Sequence, residues 1–130
     1  MSATLRLILA AICLLLLGIA GSADARPSNK WRIQCNSDAD SDGVVTLLLS
    51  PKGAEAIEVA IAISKDTGEN AVASTIRKAL KADERVAERY KVEVDDGEDV
   101  LVKKRGGEPD FDLTVVSNTV KGIRINLDRE

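Results

Sequence analysis

Histidine is absent from all 130 residues. That removes the commonest general base and the commonest zinc ligand together. Neither a Ser-His-Asp nor a Cys-His arrangement is available. Cysteine is scarce: Cys13 lies inside an N-terminal apolar run, which leaves Cys35. One thiol makes no internal disulfide. Glycine never takes a phosphate-binding spacing, because Pro51-Lys52-Gly53 and Gly106-Gly107 match neither a P-loop nor a dinucleotide fingerprint. Charge of a single sign is also missing. The chain has 18 Lys and Arg against 21 Asp and Glu, interspersed, for a net charge of −3. This argues against nucleic-acid binding, or an anionic-membrane surface, built on gross charge. The compact basic cluster Lys103-Lys104-Arg105 reads as the solvated end of a strand. Acidic pairs are plentiful, but they sit in turns, where they stay ionised and lack the raised pKa of an acid catalyst. These absences point away from an enzyme.

What is present starts at the N-terminus. Arg6 precedes an almost unbroken apolar run over residues 7–20, and small residues then lead to Ala23-Asp24-Ala25. A short positive region, an apolar stretch and an A-x-A site make a signal peptide over residues 1–25, cut before Arg26. The run is shorter than the roughly 20 residues that cross a bilayer, so no stable span is expected after processing. Ile12 stands directly before Cys13, where a lipobox needs a small residue. The expected product is exported, to the periplasm or the outside.

Residues 26–30 read as a flexible leader and residues 31–130 as a single domain. Trp31, Ile33 and Cys35 share one face of a first strand, which makes a buried, inert thiol the plain reading and an intermolecular disulfide the sharper one. Residues 44–49 are apolar on both faces, and Ile57, Val59, Ile61 and Ile63 form a period-two stripe. Asp66 with Glu69 resembles a capping box. Val72, Ile76, Ala79 and Leu80 then make one helical stripe, ending near Glu88 with a break around Ala82 and Asp83. Tyr90, Val92 and Val94 alternate toward the turn at residues 95–99. An odd-numbered loop there sets Val94 against Val100 and Val92 against Val102, whereas a two-residue loop would mix the faces. Phe111, Leu113 and Val115 alternate next, and Ile123, Ile125 and Leu127 close the chain. The expected fold is α+β, with one amphipathic helix packed on a twisted, mainly antiparallel sheet of six to seven strands in the order β3-α-β4. Residues 44–49 and 100–102 are apolar on both faces, so the sheet must curl on itself or meet a partner.

The alternating strand Ile57-Glu58-Val59-Ala60-Ile61, the helical Ile76-Arg77-Lys78-Ala79-Leu80 and the hairpin arm Tyr90-Lys91-Val92-Glu93-Val94 follow one another over residues 57–104. In this order the chain resembles a strand–helix–hairpin module of phage tail proteins and secreted bacterial proteins, and also the small exported proteins of Gram-negative bacteria. The resemblance implies a structural or binding module without chemistry of its own.

The motif that best suits a ligand is Asp38-Ala39-Asp40-Ser41-Asp42-Gly43. Alternate carboxylates followed by glycine let a loop wrap a hard cation, with the Val44 carbonyl at the seventh position and Gly43 for the sharp turn. The twelfth position is Leu49, where an EF-hand has its bidentate glutamate, and a strand follows where an EF-hand has a helix. A full EF-hand is excluded, leaving an acidic turn or a weaker calcium loop. Residues 95–99 lack this alternate spacing. The functional expectation is a non-catalytic exported domain that binds a protein or a cell-envelope component, needing no cofactor. The alternative is a calcium-stabilised secreted module using Asp38, Asp40, Asp42 and Val44. Neither oligomeric state nor partner is written in these residues.

Overall fold

The computed structural model describes residues 26–130. The expected signal peptide and Cys13 lie outside the described residues. Seven strands and two helices follow in chain order: β1 (Lys30–Asn36), β2 (Gly43–Pro51), β3 (Ile57–Ile63), α1 (Glu69–Ala82), α2 (Glu84–Arg89), β4 (Tyr90–Asp95), β5 (Asp99–Lys104), β6 (Phe111–Asn118) and β7 (Arg124–Arg129).

The α+β character and the antiparallel pairing are as expected, but the strands form two sheets instead of one. Their orders are β4-β5-β1-β7 and β3-β2-β6, with every pair antiparallel. The helical segment therefore does not connect neighbours within a sheet. It carries the chain from β3, an edge of the smaller sheet, to β4, an edge of the larger. The physical reason lies in β2 and β5, whose apolar residues need cover that one helix on one sheet cannot supply. Two sheets facing each other bury Val45, Leu47 and Leu49 of β2 in the same core as Val100 and Val102 of β5. A bulge helps the smaller sheet to coil: Thr46 opposes Ser117 and Leu47 opposes Val115, leaving Val116 as an extra residue on β6.

The α1 stripe fills the remaining side. Val72, Ala73, Ile76 and Leu80 are buried, and α1 packs on β3 of one sheet and on β1, β4 and β5 of the other. Opposite, β6 and β7 touch. Trp31 ties the layers together, since its indole Nε1 donates to the Phe111 carbonyl at 2.8 Å. Tyr90 and Phe111 pack ring to ring at 4.5 Å. The helical break falls at Asp83, whose side chain accepts from the Arg85 amide and starts α2. Within the segment read as a leader, Ser28 exchanges backbone hydrogen bonds with Phe111, and Asn29 accepts from the Lys104 amide.

Candidate functional site

The acidic loop between β1 and β2 sits where two other segments converge, the β3–α1 connection and the β6–β7 turn. Ala39 is buried, and its amide and carbonyl pair with Thr67 and Asp66 at 2.9 and 2.8 Å. The Asp40 amide donates to the Lys121 carbonyl at 2.8 Å, and the Lys121 amide donates to the Ser41 hydroxyl at 3.0 Å. The carboxylates point to different neighbours. Asp42 accepts from the Lys65 amide at 2.7 Å, and Asp38 from the Glu69 amide at 3.3 Å. Asp40 lies against Gly122, where an added Cβ would collide with its carboxylate. Gly122 also has a φ of 88°, so conformation and space both demand glycine there. The Val44 carbonyl accepts from the Thr119 amide at 3.0 Å. Thus Asp38, Asp40, Asp42 and Val44 are close in sequence, but all four are engaged, Asp38 and Asp42 with the β3–α1 connection and Asp40 and Val44 with the β6–β7 turn. Among the described residues no group of three metal-ligating side chains converges.

Gly43 does not act through a left-handed turn. A Cβ there would stand 2.8 Å from the backbone of Thr119 and Val120, so the glycine permits a close passage of two chain segments. The capping box is likewise replaced. Gly68 is the N-cap of α1 and offers no side chain, while Asp66 sits two residues upstream in a left-handed conformation. Asp38 supplies the acceptor instead, from across the fold.

Cys35 is fully buried, and burial pushes its thiol up to about 12. Burial raises Tyr90 to about 12 as well. Arg85 donates hydrogen bonds to Asp83 and holds its carboxyl below the usual carboxylate range. Arg32 is held far above its ordinary value by hydrogen bonds to Asp99, Asp95 and Glu130. It donates to Asp99 at 2.8 Å and to Asp95 at 3.1 Å, which clamps the β4–β5 turn. These are anchoring contacts, and no buried side-chain polar atom among the described residues lacks a partner.

No family model matches the chain, and no curated protein matches it significantly.

Two surfaces remain. The first is the outer face of the β3-β2-β6 sheet. Val44, Thr46 and Leu48 run along its central strand, opposite Ala62, Ala60 and Glu58 of β3. Ala60 and Ala62 are exposed, Val44 is 37% exposed and Val116 is 52% exposed. The second is a cavity of about 470 Å³ between α1 and β4, lined by Arg77 and Lys81 on one wall and by residues 90–94 on the other. Arg77 and Lys81 lie outside the apolar stripe of Val72, Ile76, Ala79 and Leu80, but the groove was not legible in the sequence, since nothing local tells that β4 is an edge. Lys103 is exposed, Lys104 pairs with Asp110 at 2.8 Å, and Arg105 donates to the Ala87 carbonyl at 3.0 Å.

Proposed function

We propose that this chain is an exported, non-catalytic domain that binds another protein or a component of the cell envelope. The observation that carries the reading is the uncovered outer face of the smaller sheet. Its central strand sets Val44, Thr46 and Leu48 beside Ala62, Ala60 and Glu58 of β3, and Thr46 and Leu48 beside Ser117 and Thr114 of β6, and no helix among the described residues covers them. A sheet face of small side chains with exposed Val44 and Val116 and no lid favours association. The absence of histidine, and thiol chemistry suppressed by burial, are consistent with a binding role. Among the described residues no helix is long and apolar enough to cross a membrane.

Two results test this together. The protein recovered from the periplasm or the medium should begin at Arg26, and it should retain a specific partner when isolated with the native envelope fraction. Retention of residues 1–25 in all material would overturn the export half, and a chain always recovered alone would overturn the binding half.

A separate measurement distinguishes this reading from the calcium-stabilised alternative. The loop is already held by amides at Asp38 and Asp42, so millimolar calcium should leave the melting temperature unchanged. A rise that disappears in Asp40→Ala would establish the alternative in its place.

A further inference from the structure

The groove between α1 and β4 has the two features that strand addition needs. One is a free edge. Among the described residues β4 pairs with β5 alone. The Cys35 amide donates to the Glu98 carbonyl, and the Lys104 amide to the Asn29 carbonyl, so the even-numbered residues of this arm turn their backbone groups toward β1. The odd-numbered ones, Asp99, Leu101 and Lys103, therefore bond to Asp95, Glu93 and Lys91. Val92 and Val94 are left with their backbone N–H and C=O groups directed away from the sheet, into the groove. No bulge or proline interrupts this edge.

The other feature is the charge of the opposite wall. Lys91 and Glu93 form a pair at 3.1 Å and cancel each other. Arg77, Lys81 and Arg105 then set the character of the groove, and neither Arg77 nor Lys81 has an ion pair among the described residues. In a chain of net charge −3, the lining of this groove carries more basic than acidic side chains. The spacing also suits a strand. Arg77 and Lys81 are one helical step of four residues apart, about 6 Å along the axis, and alternate residues of a strand repeat every ~6.7 Å. Ala87 and Val92 supply an apolar floor between the charged rim residues.

We propose that the groove receives an extended acidic peptide segment of a partner protein, which adds as a further strand beside β4 and sets alternate carboxylates against Arg77 and Lys81. The proposal rests on the binding-module reading and adds to it a second surface, separate from the outer face of β3-β2-β6, with its own partner chemistry. Main-chain bonds to Val92 and Val94 provide the anchor, and the cations select the charge. A second copy of this chain is the poorer occupant, because two such edges would bring cationic grooves together.

The test uses protein purified from cells expressing the whole chain and two synthetic peptides, one alternating valine with glutamate and the other valine with lysine. The glutamate peptide should shift the amide resonances of Val92 and Val94, weaken steeply with added salt, and outbind the lysine peptide. Arg77→Glu with Lys81→Glu should weaken it about tenfold. Val94→Pro removes an N–H that the β4–β5 ladder does not use, so the fold should persist and the peptide should be lost. The retained β4–β5 resonances report that fold, and the charge variant stands as an independent check. Equal binding of both peptides, or shifts confined to other surfaces, would overturn the groove while leaving a binding module. Self-association through β4 would replace the peptide by a second copy. Failure to bind either peptide, together with no partner from the envelope fraction, would remove both readings.

Discussion

At the residue scale, Cys35 is the clearest case of a sequence pattern with a physical consequence. Alternation with Trp31 and Ile33 put the thiol on an apolar face, and the structure buries it completely. Burial disfavours the thiolate, which raises the group from 9.0 to about 12. The sign follows directly. Above pH 9 the unfolded chain loses this proton while the native chain keeps it, so the native state binds more protons and stability falls as pH rises from about 9 to 12. Tyr90, raised from 10.0 to about 12 for the same reason, steepens the decline above pH 10. Denaturant melts across this window should show a shallower slope for Cys35→Ala, whatever constant offset the smaller side chain introduces. The folded wild type should also resist alkylation below pH 9. Rapid modification of the native protein, or an unchanged slope in the variant, would contradict the burial argument.

At the scale of elements, local chemistry was legible where a constraint acts within one hairpin or one helix. The three-residue loop over residues 96–98 followed from matching apolar faces, and Val94 does oppose Val100 and Val92 does oppose Val102. The helical break at Asp83 was equally visible. The start of α1 was not, because its cap comes from a residue 31 positions away. Asp66 with Glu69 had the right spacing, but the chain turns through a left-handed Asp66 and begins the helix only after Gly68. Replacing Asp38 by alanine should therefore cost about 1 kcal/mol in a urea melt, and asparagine at the same position should restore most of it. Faster amide exchange at Glu69 in Asp38→Ala would locate the effect. An unchanged melt would mean that the contact at 3.3 Å contributes nothing.

At the scale of the whole molecule, the division into two sheets was hidden because β1 finds its partners, β5 and β7, at the far end of the chain. The doubly apolar β2 and β5 signalled that cover was needed without telling what would give it. Facing sheets supply it for their inner residues. The spacing of the acidic loop left an acidic turn and a weaker calcium loop both open, and in the structure its atoms hold together the β3–α1 connection and the β6–β7 turn. What those closures leave over is the outer face of β3-β2-β6, and the proposed binding role depends on it. A photoreactive residue placed at the exposed Ala60 in cells expressing the full chain addresses that face directly, with Lys52 in the neighbouring turn as the control. A discrete protein adduct from position 60, and none from position 52, is the predicted result. No adduct from position 60, with the purified chain sedimenting as a strict monomer, would contradict it.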